Sequence, residues 1–458
     1  MEIHCLMRKS NRLATAASIL LWSALASFAL RAAPATNLIL MISDGCGLNS
    51  RAAAAFYMGS TNPAMACAAL PVHCAVSTHP LSTGATPGSP ANGAYDPAAA
   101  WKSDFSGLMK NCTDSAAAAT AMASGKKTYN RAINWGNDNA AITNLISLRA
   151  KSLGKSVGIV TSVAWSHATP AAFAAHNPSR SAIAALANEM LTNGIASVIM
   201  GAGHPLFDNA GKPAAKPDYA CVGGISTWTQ LAAGNFHGWT LLQTRAEFEA
   251  LRQGPTPPRL LGTAQVRDTL QQSRPGTSAG ETPFSVPLLE TVPSLETMTR
   301  AAINALSANT NGFFLMVEGG AIDKACHGRQ PARMIEEIAD FDKAVQAVIE
   351  WADRANAWDG TLLVVTSDHE TGVVWGPDSG LGKPNPFGPI VNNGAGKMPG
   401  LRFLSDAHSN TLVPLYARGP MSHRFMELAT RTDPVFGPYV DNTDIHRVMT
   451  EALAPTPP

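Results

Sequence analysis

Short apolar runs recur along the chain, and each gives way to a polar cluster. Residues 37–43 end in Asp44-Gly45, and 156–161 lead toward His167 and Thr169. Residues 196–200 end in a Gly-Ala-Gly turn, 313–317 in Glu318, and 361–366 in Asp368-His369. Runs of this length without apolar–polar alternation predict strands buried on both faces. Between them, 115–124, 181–191, 295–306 and 334–352 carry helix-like patterns. Strands alternating with helices predict an α/β fold: a doubly wound, mostly parallel central sheet with helices on both faces. In such sheets the crevice beyond the carboxyl ends of the strands is where ligands bind. Core packing alone does not explain polar clusters at the same end of all these runs.

Segments 80–100, 204–288 and 377–400 are rich in Gly, Pro and other turn formers, and read as surface excursions. Within 204–288 only one short helix is expected, near 245–252. Loops of such length in a compact domain serve function or interfaces. The expectation is one catalytic domain over 36–453, with an insertion at about 204–288 and a disordered tail at 454–458. The amino terminus has the layout of an export signal. Arg8, Lys9 and Arg12 precede the apolar run 16–25, and small residues follow around 32–35. This predicts a signal peptide over 1–35, cut near 31–35, and a periplasmic or secreted protein. The apolar run is short for a bilayer span, so no retained membrane span is expected.

Composition narrows the function classes. The chain has 458 residues, 45% of them hydrophobic, and a net charge of +1 from 34 basic and 33 acidic residues. That balance gives no reason to expect a nucleic-acid-binding surface. Cys5 would leave with the signal. Cys46, Cys67, Cys74, Cys112, Cys221 and Cys326 remain, with no C-x-x-C pair to suggest a structural zinc finger. Cys67 and Cys74 are near enough in sequence to close a small loop, and an oxidising compartment permits it. Cys46 and Cys326 read as buried free thiols.

The densest chemistry is Glu318, Asp323 and His327, which fall within ten positions after an apolar run. Asp and His suit zinc, and an added Glu offers a hard oxygen ligand. A salt-bridged helix start is the other reading of the same residues. Ser115 stands at the mouth of an Ala-rich helix that Gly125 would end. The helix start favours a negative group on the Ser115 oxygen. Residue by residue, Asp114 or Ser115 could equally be an N-cap.

The blocks taken together resemble the alkaline phosphatase family. Asp44-Gly45 is similar to its first metal-ligand block and Asp114-Ser115-Ala116 to its nucleophile motif. His167-Ala168-Thr169-Pro170-Ala171-Ala172, with Arg180 beyond, resembles the magnesium and phosphate-arginine block. Glu318, Asp323 and His327 match the central block, Asp368-His369 the late zinc pair, and His408-Ser409 the last zinc histidine. The likeness runs in order from about 37 to 445.

The resemblance implies a bacterial, secreted alkaline phosphatase with that family's fold. It would hydrolyse phosphate monoesters of broad range through a phosphoserine on Ser115, using two zinc ions and one magnesium. It places one zinc on Asp323, His327 and His408, on the side of the departing alcohol. The other goes on Asp44, Asp368 and His369, with Ser115 as a further ligand. Magnesium takes Asp44, Thr169 and Glu318. Arg180 would grip the phosphate and Asp114 would orient Arg180. His167 and Lys324 stand where relatives vary. His167 either draws a softer metal into the third site or hydrogen-bonds a water there. A homodimer is left open. A phosphodiesterase or sulfatase, and a binding protein that has lost turnover, are the competing readings.

Overall fold

The computed structural model describes residues 34–59, 65–276 and 282–454. Except for residues 34 and 35, the predicted export signal lies outside the described residues, and so does 455–458 of the predicted tail. The strands in chain order are β1 (Asn37–Ile42), β2 (Val72–Ser77), β3 (Ser156–Ala164), β4 (Val198–Ala202), β5 (Thr240–Leu242), β6 (Leu260–Thr263), β7 (Phe313–Glu318) and β8 (Thr361–Thr366). They are followed by β9 (Glu370–Thr371), β10 (Val374–Trp375), β11 (Arg402–Phe403), β12 (His408–Ser409), β13 (Val413–Arg418), β14 (Arg431–Asp433) and β15 (Gly437–Asp441).

Eleven of these strands form one sheet in the order β14-β15-β2-β13-β8-β1-β7-β3-β4-β6-β5. From β8 to β5 every neighbour is parallel, and β13 is antiparallel to both β8 and β2. The expected mostly parallel sheet is therefore present.

Alternation along the central strands builds two cores. Leu38, Leu40 and Ile42 of β1, with Phe314 and Met316 of β7, join one hydrophobic layer. Ile39 and Met41, with Phe313, Leu315 and Val317, join the other. Helices Ser115–Ser124, Ile183–Thr192 and Asn442–Leu453 contribute to the first layer; Leu48–Tyr57, Leu295–Leu306 and Pro331–Arg354 contribute to the second. Side chains on a strand point to opposite faces in turn, so a strand covered on both faces must be apolar throughout.

Register sets the site. Ile42 pairs with Glu318 on one side and Thr366 on the other, and Thr161 pairs with Glu318. The carboxyl ends of β1, β7, β8 and β3 are thus level. Asp44 and Asp368 each lie two residues beyond that line, and Glu318 lies on it.

Residues 204–288 contain more structure than the sequence suggested. Besides the helix Arg245–Ala250 there is a helix Ile225–Ala232, and β5 and β6 extend the parallel sheet beyond β4. Strands of three or four residues are too short to show a period, and tertiary pairing makes them. The described cysteines are all free, Cys67 and Cys74 included. Cys67 is instead buried against Arg51, whose Nη1 donates to its Sγ at 2.7 Å. Among the described residues no helix is long and apolar enough to cross a membrane.

The helix Ser115–Ser124 ends where expected. Gly125 has φ +71°, and its amide donates to the Ala121 carbonyl. A Cβ there would lie 2.8 Å from His446 Nδ1. Gly125→Ala should cost about 1–3 kcal/mol, the usual range for a left-handed non-glycine residue. A lower midpoint in urea unfolding, with activity per folded molecule kept, is the expected result.

Candidate active site

Ser115 begins a helix whose ten residues are all buried. Alanines over 116–119 let this helix sit inside the protein with its amino end at the sheet's carboxyl edge. Asp114 performs two of the roles the sequence left open. Its Oδ1 accepts from the Ala117 and Arg131 amides, both at 3.0 Å, which caps the helix. Its Oδ2 accepts from Arg180 Nη1 at 2.9 Å. The second guanidinium nitrogen of Arg180 lies 3.3 Å from His167 Nε2. Burial first, then Arg180 and Lys324, pushes the His167 pKa well below the usual imidazole value, so the ring is neutral. Ser115 Oγ is 3.2 Å from His369 Nε2.

Asp323 and His327 sit one turn apart on the helix Ala321–His327 and face the same way. Asp323 Oδ1 lies 3.2 Å from His327 Nε2 and 3.5 Å from His408 Nε2. The two imidazole nitrogens are 3.1 Å apart. Each ring is aimed from behind: His327 Nδ1 meets the Asp406 carbonyl at 2.6 Å and His408 Nδ1 the Thr113 carbonyl at 2.7 Å. Carbonyls on Nδ1 leave both Nε2 atoms free to converge on a common point.

A second group adjoins the first. His369 Nε2 is 3.2 Å from Asp368 Oδ2 and 3.5 Å from Asp44 Oδ1. The Gly45 and His369 amides hold the other Asp368 oxygen at 3.1 and 3.0 Å. Donor atoms of Asp44, Asp323 and His369 lie within 4.8 Å of one another, as do those of Asp323, His327 and His408. Asp323 thus stands between the two groups. Behind Asp44, Thr169 Oγ1 donates to its Oδ2 at 3.5 Å, and Thr161 donates to Glu318 Oε2.

These residues fit bound cations better than an empty cluster of side chains. Asp44 Oδ1, Glu318 Oε1, Asp368 Oδ2 and His167 Nδ1 are buried and have no hydrogen-bond partner. Burial, with repulsion from Asp368, Asp323 and Glu318, pushes Asp44 well above the usual carboxylate range. Burial raises Glu318. Burial and Asp323 push Asp368 up to about 7. Burial also opposes ionisation of Asp323, but hydrogen bonds from His327 and His408 outweigh it and hold the group well below its ordinary value. Lys324 Nζ is 3.8 Å from Asp323 Oδ2 and partly exposed, too marginal to balance four buried carboxyls. Buried carboxylates need compensation by hydrogen bonds or positive charge. Two donor sets mix imidazole and carboxylate, as borderline metals prefer; Asp44, Thr169 and Glu318 are all oxygen, as hard cations prefer.

Sequence reasoning passed over three supporting residues. Thr161 holds Glu318. Thr371 Oγ1 donates to Asp323 Oδ1 at 2.8 Å and lies 3.2 Å from His369 Nδ1, so it orients both groups. Glu370 is buried under the cluster, accepting from Ser409 and from the Val374 amide. A Cβ on Gly47 would come within 2.4 Å of its Cγ. Only position could have revealed these residues, since each is adjacent to or level with a residue already suspected. His176 and His204 lie outside this cluster and pair with Glu189 and Gln243.

Comparison with known proteins identifies the family. The family profile described as alkaline phosphatase matches residues 35–401. Alkaline phosphatase of Escherichia coli strain K12 is 29% identical over 435 residues, covering 87% of this chain and 84% of that protein. Alkaline phosphatase 4 of Bacillus subtilis strain 168 is 33% identical over 267 residues. That match covers 57% of this chain and spans only 50% of the Bacillus protein. Alkaline phosphatase from the Antarctic bacterium TAB5 superposes with a TM-score of 0.62 at 23% identity, over 93% of this chain and 100% of that one. The Thermus thermophilus enzyme gives 0.63 at 23% identity, over 93% of each chain. At that identity the two structures speak for the fold alone. With most of the chain matched by the profile, the sheet in place and the sequence blocks gathered at one edge of it, the chain belongs to the alkaline phosphatase family.

Proposed function

We propose that this chain is an alkaline phosphatase that hydrolyses phosphate monoesters to an alcohol and inorganic phosphate through a phosphoserine on Ser115. The observation that carries the reading is Ser115 Oγ 3.2 Å from His369 Nε2 of the imidazole–carboxylate cluster, with the Arg180–Asp114 pair beginning at the neighbouring residue. Asp323, His327 and His408 would hold one zinc. Asp44, Asp368 and His369 would hold the other, with Ser115 as a further ligand. Asp44, Thr169 and Glu318 would hold magnesium; a solved TAB5 variant is described with magnesium in its M3 site. When bound, such cations polarise phosphoryl oxygens and lower the pKa of oxygens they contact.

The chain's own residues do the rest. Ser115 Oγ forms a bond to phosphorus as the ester P–O bond breaks and the alcohol leaves. Water then cleaves the phosphoserine and restores the hydroxyl. The Arg180 fork, fixed by Asp114, pairs with two non-bridging oxygens. The free amides at the amino end of the Ser115–Ser124 helix face the same negative charge. Neutral His167 steadies Arg180 without competing for the phosphate. Export to the periplasm or beyond belongs to the same reading. It rests on the basic and apolar segments preceding residue 36.

The direct test sets 4-nitrophenyl phosphate beside bis(4-nitrophenyl) phosphate and 4-nitrophenyl sulfate. The monoester should be preferred by roughly 100-fold or more, because only it presents the full charge this site is built to meet. A faster diester or sulfate would assign the chain another activity, and no turnover at all would favour a binding role.

Arg180→Ala should raise both KM and the inhibition constant for inorganic phosphate. A hydrogen bond to a charged group contributes about 1.5–3 kcal/mol, so kcat/KM should fall roughly 10- to 150-fold. Arg180→Lys should recover part of this. Unchanged inhibition by phosphate would mean that Arg180 does not face the substrate.

A further inference from the structure

A cavity of about 510 Å³ is lined in part by residues close in the chain to His327 and His408. Its walls are segments 104–109, 379–383 and 402–404, together with Arg329. Arg329 and the segments 104–109 and 402–404 run toward site residues along the chain, and 379–383 is held to the last of these by Arg402. Arg329 follows His327 by two residues, and its Nη2 lies 3.4 Å from Asp406, the residue whose carbonyl meets His327 Nδ1. Leu404 precedes His408 by four residues. The Leu108 carbonyl accepts from the Asn410 amide at 2.7 Å, and the chain beyond it leads through Thr113, partner of His408, to Ser115.

The lining has two chemistries. Phe105, Phe403, Met109, Leu381 and Leu404 supply an apolar surface. Leu381 is 71% exposed and Met109 46%, an unusual outlay of bare hydrophobic side chains at a rim. Phe105 packs edge-on against Phe387, with ring centroids 4.7 Å apart. Arg329, Lys383 and Arg402 bring positive charge, against Asp104 alone on the lining. Arg329 has Asp406 nearby, and Arg402 donates to the Ser379 carbonyl. Among the described residues neither Lys383 nor Arg402 has a carboxylate within ion-pair distance. The segment 377–400 that carries much of this wall is one of the excursions singled out in the sequence.

Resting on the phosphomonoesterase reading, we propose that this cavity is a leaving-group subsite. It selects phosphate esters whose leaving group joins an aromatic or apolar body to a second anion. The ring would lie on Met109, Leu381 and Phe403. The second anion would meet Lys383 and Arg402. Such complementarity acts mainly on kcat/KM and weakens with salt.

The test uses the full chain with zinc and magnesium present, and 5′-AMP beside adenosine 3′,5′-bisphosphate. These share an aromatic body and differ by one anion. Two cleavable phosphates alone give at most about a twofold advantage, so kcat/KM for the bisphosphate should exceed that for AMP by about fivefold or more. The margin should shrink between 0.05 and about 0.5 M salt. Lys383→Glu, on an exposed loop, should reduce the preference to about twofold or less while AMP turnover stays within about twofold. Leu381→Ser should slow both nucleotides but spare glycerol 3-phosphate. Equal rates for the two nucleotides, or a preference that survives Lys383→Glu, would overturn the subsite and leave the phosphatase reading standing. Failure to hydrolyse any of the three esters would bring down both.

Discussion

Ser115→Ala should lower kcat/KM for a phosphate monoester by about a thousandfold or more, with the fold and the metal content kept. Removing a covalent nucleophile abolishes the two-step route and leaves only the catalysis that charge and positioning give to direct attack by water. The fold should survive because Ser115 is not the cap of its helix. Asp114 satisfies the Ala117 amide, and the burial of residues 116–124 does not involve the hydroxyl. Alanine also has the highest helix propensity. The hydroxyl is 3.2 Å from His369 Nε2, so its loss frees one donor position while the carboxylates and imidazoles stay in place. Two measurements check this: turnover of 4-nitrophenyl phosphate, and capture of labelled phosphate on the protein after an acid quench. The native chain should trap label on Ser115 and the variant should not. Turnover near the native level in the variant would remove Ser115 from the mechanism.

The residues visible in the sequence and those that were not divide along physical lines. The runs ending at Asp44, Glu318 and Asp368 were visible because β1, β7 and β8 are buried on both faces and so are apolar without a break. A polar residue ending such a run stands out. The helices Ser115–Ser124 and Leu295–Leu306 were readable to the residue, while their capping side chains, Asp114 and Ser294, were settled only by the structure. β5 and β6 were not, since strands of three and four residues exist only because a neighbour pairs with them. Thr161 and Thr371 escaped for a different reason. A threonine at a strand end is ordinary for its propensity, and only the carboxylate opposite it gives it a task. Asp114 shows how a local reading and a distant one coexist. Its Oδ1 caps the helix, as any Asp before an Ala run might, while its Oδ2 holds an arginine 66 residues away.

Chelation should cost this protein stability as well as activity. Three cations bound at about a thousandfold over their dissociation constants would each contribute about 4 kcal/mol to the folded state. Removing them should lower Tm by more than about 10 °C, even allowing for the small shift per kcal/mol in a large domain. The loss should depend on pH, and its sign follows from the carboxyls. In the metal-free protein Asp44 is held well above the ordinary carboxylate range and Asp368 up to about 7. A carboxyl raised on folding favours the fold fully below its unfolded value, near pH 4. That contribution is lost as pH rises through the folded value, so for Asp368 it declines between about pH 4 and 7. Cation binding acts in the opposite sense, because ligands must release protons to bind. The Tm gap between loaded and chelated protein should therefore widen from pH 5 to pH 8. Thermal unfolding at both pH values, with and without a chelator, measures it, and adding back zinc with magnesium should restore both Tm and turnover. A chelated protein that unfolds at the native temperature at pH 8 would show that these four carboxyls do not depend on cations for their burial.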